Sequence, residues 1–171
     1  MKKVAVFGKP GSGKSTFSQK LADTTNLPLH YLDLIEYEEN GDKIPKELFL
    51  EKHEKLIATP TWIIDGLGTM GTFNRRLEEA DTLVYIDLPY WTCYWLVTKR
   101  LLKGIFTHPK GWPKGSSIIK GSINGYKYLR LSPNFWNADF SKKLQNYAGE
   151  KQVYVLNSMK EVHAFAEQLN K

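Results

Sequence analysis

Gly8-Lys9-Pro10-Gly11-Ser12-Gly13-Lys14-Ser15 fits the pattern G-x-x-x-x-G-K-[ST] in full, and its residue types suit one kind of chemistry. Glycines at 11 and 13 can take backbone angles that turn successive N–H groups inward, making a concave anion nest. A helix that begins there adds unpaired N–H groups and the positive end of its dipole. Lys14 brings a mobile positive charge to the outer phosphates of a nucleoside triphosphate, and the Ser15 hydroxyl is a candidate magnesium ligand. The expected nucleotide-binding set is Gly8, Pro10, Gly11, Ser12, Gly13, Lys14, Ser15 and Thr16, with ATP and Mg2+ as the expected ligands.

Three aspartates follow short apolar runs: Asp33 after Tyr31-Leu32, Asp65 after Ile63-Ile64, and Asp87 after Tyr85-Ile86. Phosphoryl transfer needs a carboxylate to hold magnesium and can use another to orient the attacking hydroxyl. Asp65 and Asp87 both have the apolar-strand-then-Asp form of a metal-holding carboxylate, and the sequence leaves both open. Each of the three could instead cap a helix or close a turn.

Strands and helices must alternate to bring these residues together. Val4 to Phe7 reads as a buried strand, followed by the loop and a helix to about Ala22. Leu29 to Leu32, Trp62 to Ile64, Leu83 to Ile86 and Val153 to Leu156 read as further strands. Helical patterns start at Pro45, Phe73, Pro89 and Met159. This alternation predicts an α/β fold, a parallel sheet with helices on both faces. Ligands bind beyond the carboxyl ends of such strands, so Gly8, Asp33, Asp65 and Asp87 are expected in one cleft. Residues 104–117, rich in Gly, Pro and Lys, break the alternation and are expected to form a lid. Trp91 and Trp95, at i, i+4 spacing, are expected to pack against the sheet, and Cys93 to be a small buried hydrophobe. His30, His53, His108 and His163 show no metal-ligand spacing.

The chain has 171 residues and a net charge of +6, enough length for one domain, 1–171, with a sizeable core. No acidic residue lies between Asp87 and Asp139, while Lys99, Arg100, Lys103, Lys110, Lys114, Lys120, Lys127 and Arg130 do. Those eight cations exceed the net charge, so the rest of the chain is net acidic. A basic stretch of this kind suits polyphosphate or nucleic acid, and equally a solvated surface. One cysteine, no apolar run of spanning length and no leader-like start make the cytoplasm the expected location, with no membrane partner.

Together with the loop, Tyr31-Leu32-Asp33, Trp62-Ile63-Ile64-Asp65-Gly66, Arg76-Leu77-Glu78, Ala80-Asp81-Thr82 and Leu83 to Pro89 resemble adenylate-kinase-type P-loop proteins. The likeness is greater to the branch called DNA topology modulation proteins, and it covers most of residues 1–103. It implies an α/β, three-layer P-loop NTPase fold of the nucleotide- or nucleoside-kinase kind, with a central five-stranded parallel sheet, in which Asp33 and Asp65 face an acceptor. It also implies that Arg76, or else Arg75, meets acceptor phosphate and that Arg100 sits at the lid base. Two departures stand out. Adenylate kinases carry D-G-F-P-R where this chain has Asp65-Gly66-Leu67-Gly68-Thr69, and residues 101–129 contain lysines but no arginine. The expected function is transfer of the γ-phosphoryl of Mg-ATP to a nucleotide, nucleoside or other small acceptor. Lys14, Asp33, Asp65, Arg76 and Arg100 are the expected catalytic set. The alternative is an ATP-dependent regulator associated with nucleic acid.

Overall fold

The computed structural model describes residues 1–104 and 117–168. The lid expected over 104–117 falls almost wholly on 105–116, outside the described residues, and so do His108, Lys110 and Lys114. Five strands, β1 (Lys3–Gly8), β2 (Leu29–Tyr31), β3 (Trp62–Asp65), β4 (Thr82–Ile86) and β5 (Gln152–Leu156), form one sheet in the order β2-β3-β1-β4-β5. Every pair is parallel. The helices are α1 (Lys14–Thr25), α2 (Leu32–Glu36), α3 (Lys46–Ile57), α4 (Met70–Glu79), α5 (Tyr90–Gly104), α6 (Ile118–Leu131), α7 (Ala138–Tyr147) and α8 (Met159–Gln168), with a 3-10 turn at Ser132–Asn134.

The inner strands are apolar throughout because both of their faces are covered. On one face Val4, Val6, Ile63, Val84 and Ile86 pack with Phe17 and Leu21 of α1, Cys93 and Val97 of α5, Leu129 of α6 and Phe165 of α8. On the other, Ala5, Phe7, Trp62, Ile64, Leu83 and Tyr85 meet Phe49 of α3, Phe73 and Leu77 of α4, and Phe140 and Leu144 of α7. Phe7 is the hub of an aromatic cluster, edge-on to Phe73 at 5.2 Å and stacked on Tyr85 at 5.7 Å between centroids. The α1 and α4 helices lie on opposite faces, so a crevice opens between the carboxyl ends of β1 and β3.

Three features differ from the sequence expectation. Strand β2 stops at Tyr31, because Leu32 already begins the short helix α2, which places Asp33 on its first turn. The α6 and α7 helices occupy a stretch to which the apolar pattern assigned no element. Their N-caps are legible afterwards: Ser117 accepts from the Lys120 N–H and Asn137 from the Phe140 N–H. Trp91 and Trp95 are not packed on the sheet but 74% and 59% exposed. The buried stripe of α5 is Cys93 and Val97, and a shift of two positions on a 3.6-residue period points both tryptophans outward. Cys93 is buried as expected.

This packing separates two aromatic side chains that look alike in sequence. Phe73→Ala is expected to cost about 3–5 kcal/mol of unfolding free energy, while Trp91→Ala stays within about 0.5 kcal/mol. Urea unfolding of the two variants measures the contrast.

Candidate functional site

The loop between β1 and α1 has the backbone that its glycines make available. Gly11 and Gly13 have φ of 75° and 83°. A Cβ on Gly11 would lie 2.6 Å from Val97 Cγ2 and 2.7 Å from the Cys93 carbonyl oxygen, so this glycine lets the loop seat against α5. A Cβ on Gly13 would meet nothing within 4 Å. Gly13 caps α1 with no side-chain hydrogen bond, and the first turn holds no acidic residue. The N-terminal N–H groups of α1 therefore have no carboxylate of their own helix competing for them, which suits an anion. Lys14 folds over the loop, its Nζ donating to the Lys9 carbonyl at 2.8 Å. Burial pulls its pKa down, against the attraction of Asp65 and Asp33.

Parallel pairing of β1 with β3 sets Val6 opposite Asp65, which brings the end of β3 beside the loop. Asp65 is 4% exposed, accepts a hydrogen bond from the Ser15 hydroxyl, and has its Oδ1 buried without a hydrogen-bond partner. Burial raises its pKa, opposed by Lys14, the Ser15 bond and Arg76. Asp33 opens onto solvent on the first turn of α2. The surrounding protein and then the Asp65 carboxylate push its pKa up to about 6, against Lys14 and Arg100.

Asp87 belongs to a different group. Its carboxylate pairs with the Lys9 ammonium and accepts from the Tyr85 hydroxyl at 2.9 Å. The Lys9 Nζ also donates to the Leu88 carbonyl at 3.0 Å and lies 4.8 Å from the centre of the Tyr90 ring. Lys9 thus ties the loop to the β4–α5 turn. Sequence reasoning missed this role because the second loop position is a wildcard in the motif.

The arginines expected near an acceptor divide three ways. Arg75 is on the outer side of α4, its guanidinium 3.6 Å from Glu54, 3.3 Å from Glu78 and 3.7 Å from Glu79. Arg76 is 1% exposed; its Nη2 donates to the carbonyls of Gly66 at 3.0 Å and Leu67 at 2.5 Å. Burial lowers its pKa to about 9, against Asp65, so it stays charged at neutral pH. Its Nη1 lies 3.3 Å from His53 Nε2. A guanidinium can only donate, so Nε2 accepts and the ring proton sits on Nδ1. Arg100 lies over Gly125 of α6, where a Cβ would come within 3.2 Å of its Nη2, and it is attracted by Asp33 and Tyr126.

Oxygen ligands from Ser15 and Asp65, one of them buried and unsatisfied, suit a hard cation such as magnesium, which binds one or two carboxylates together with phosphates and water. No cluster of three or more His, Cys, Asp or Glu side chains occurs among the described residues. Two shallow surface depressions, about 350 Å³ beside Asp81 and Lys151 and about 340 Å³ beside Lys20 and His163, lie away from the loop and hold none of its residues. No described helix is long and apolar enough to cross a membrane.

No known protein-family model matches the chain. A shikimate kinase from Rhodococcus jostii (strain RHA1) is 29% identical over 100 residues, a match that spans 50% of this chain and 59% of that relative. The chain therefore matches about three fifths of the relative's length. Among solved structures, shikimate kinase from Acinetobacter baumannii in complex with shikimate has a TM-score of 0.57 at 14% identity, over 99% of this chain and 90% of that chain. A sugar kinase from Janibacter sp. HTCC2649 reaches 0.49 at 18% identity, over 99% and 90% of the two chains. Deoxyadenosine kinase from M. mycoides reaches 0.47 at 14%, over 98% and 97%. The likeness at 0.57 shows a shared fold: this chain has the five-stranded parallel sheet of a P-loop kinase.

His53 supplies a test of the Arg76 anchor. Burial, then Arg76 and Arg75, lower its pKa to about 4. Above pH 6.5 both folded and unfolded states are neutral at this site. As pH falls the unfolded chain takes up the proton first, so stability is lost through this window and the loss is complete below about 4. The full loss is about 3 kcal/mol. His53→Gln keeps an acceptor for Arg76 and removes the titration. Its unfolding free energy is expected to fall less steeply than wild type between pH 6.5 and 4, as denaturant melts at several pH values would record.

Proposed function

We propose that the protein is an ATP-dependent phosphotransferase of adenylate-kinase-like type, moving the γ-phosphoryl of Mg-ATP to a small acceptor. One observation carries this reading. A complete phosphate loop shares its cleft with two carboxylates of unlike surroundings, Asp65 buried against Ser15 and Asp33 open to solvent. A protein that only held nucleotide would need the loop and one of them.

In this reading the amides of Gly8 to Thr16, with Lys14, hold the phosphates and offset their charge. Ser15 and Asp65 would hold magnesium, and Asp87 is left to secure Lys9. When bound, the metal would supply positive charge to offset what develops during transfer. Asp33 orients the acceptor hydroxyl and takes its proton, for which a pKa of about 6 is well placed. Arg100, attracted by Asp33, adds positive charge near it. Arg76 acts through the turn at Gly66 and Leu67 as a positioning residue.

Lys14→Ala is expected to lower Mg-ATP affinity or turnover on the order of 100-fold, with an unchanged circular dichroism spectrum. Titration calorimetry and ADP release measure it. Wild-type binding and turnover in that variant would refute the phosphate-loop reading.

A second reading, the nucleic-acid-associated regulator of the DNA topology modulation type, is favoured by one observation. Trp91, Trp95 and Lys99 form an exposed i, i+4, i+8 row on α5, and stacked bases use such aromatic-basic surfaces. Binding to duplex or single-stranded DNA at low salt, falling steeply as salt rises, is its expected signature. A flat titration at low salt removes it.

A further inference from the structure

The charges around the acceptor side of the cleft narrow what can be phosphorylated, and this step rests on the kinase reading above. On that side stands the carboxylate of Asp33, with Glu36 close enough to act on it. A phosphate or carboxylate on the acceptor would need a cation to answer it. The described cations nearby are already engaged. Arg75 faces three glutamates on the outer surface of α4. Arg76 is spent on the carbonyls of Gly66 and Leu67, on His53, and on the face of Phe73 at 5.8 Å. Lys43 pairs with Glu36 at 2.6 Å, and Arg100 answers Asp33. Lys14 belongs to the phosphate loop.

The elements that flank Asp33 and the turn after β3 also expose apolar side chains. Leu34, beside Asp33, is 48% exposed, and Met70, which opens α4, is 51% exposed. The turn Gly66-Leu67-Gly68, with Gly66 and Gly68 at φ of 123° and 64°, lies against Leu32 at the start of α2. Arg76 holds that turn through its carbonyls, so the turn presents backbone and no positive side chain. A ligand here meets hydrogen-bond acceptors for its hydroxyls and apolar side chains for its carbon skeleton. Among the described residues an anionic group would meet the like charge of Asp33, which disfavours it in a partly desolvated cleft.

We infer that the acceptor is an uncharged polyhydroxyl compound, a nucleoside, sugar or polyol, and carries no phosphate or carboxylate. Asp33 is the selecting group as well as the one that orients the hydroxyl. The step moves the γ-phosphoryl from ADP's terminal oxygen to the acceptor oxygen, the hydroxyl proton passing to Asp33. Products are ADP and a phosphate monoester.

Matched acceptor pairs test this: nucleosides against their 5′-monophosphates, and sugars and polyols against the corresponding sugar acids and sugar phosphates. Each is incubated with Mg-ATP and wild-type protein, following ADP release and the mass of the new ester. The uncharged member is expected to have kcat/KM at least about tenfold above its anionic partner. In Asp33→Asn, turnover falls but the ratio between partners narrows, because the repelling charge is gone; a purely structural role for Asp33 would leave the ratio unchanged. Equal or faster use of the anionic member overturns the inference and leaves the kinase reading standing. If no member of any pair gains phosphate while Lys14-dependent ATP binding persists, the kinase reading falls and this inference falls with it.

Discussion

Gly8 lies against the Ile86 carbonyl so closely that a Cβ could not be placed between them, and the geometry of the site follows from that contact. The β1 strand is paired on both sides, and the last pair of its ladder with β4 is Gly8 with Ile86. The chain can therefore stay in the sheet to its final residue and still turn over the end of β4 into the loop. On its other side β1 sets Val6 opposite Asp65. A slip of one residue in either ladder would exchange Val6 and Phe7 between the two cores and carry the loop away from its carboxylate. Burial of both faces excludes that slip, so core packing and site geometry are one constraint.

Around this frame charges are held where water would otherwise receive them. Lys14 and Asp65 are each penalised by burial, and each partly compensates the other. Removing one partner of such a group leaves the other uncompensated, which is why buried charges of this kind are costly to alter singly. Arg76 follows the same logic with a different outcome. Its charge is met mainly by carbonyl oxygens and a neutral imidazole, with Asp65 as the more distant attraction. The result is a rigid turn after β3, stiffened by the Thr69–Thr72 capping box at the start of α4. Asp65 is thus held from the loop side by Ser15 and from the β3 side by the turn that follows it.

Local rules explain which parts of the sequence were legible. The loop, the five strands and helices α1, α3, α4, α5 and α8 each announce themselves by a contiguous pattern: a glycine-spaced motif, an apolar run, or a 3.6-residue period. The α6 and α7 helices do not, because glycine and polar positions interrupt their apolar residues. Ile119 and Ile123 are exposed while Ser122 is buried, so hydropathy misreports which face is inside. Trp91 and Trp95 mislead for the same reason: size and apolarity suggest burial, and only the stripe chosen by Cys93 and Val97 decides.

What the sequence determined alone was the glycine-spaced loop, the order of the five strands and of five helices, and the presence of three aspartates after apolar runs. Each depends on residues adjacent in the chain. Which aspartate meets Ser15, that Lys9 claims Asp87, and that Arg75 and Arg76 turn to opposite tasks were decided only by tertiary structure. Lys9 and Asp87 lie 78 positions apart, and Ser15 and Asp65 are similarly remote in the chain. Their pairing depends on ladder register and on which face of the sheet each helix covers. Those are properties of the packed sheet, and no window of sequence contains them.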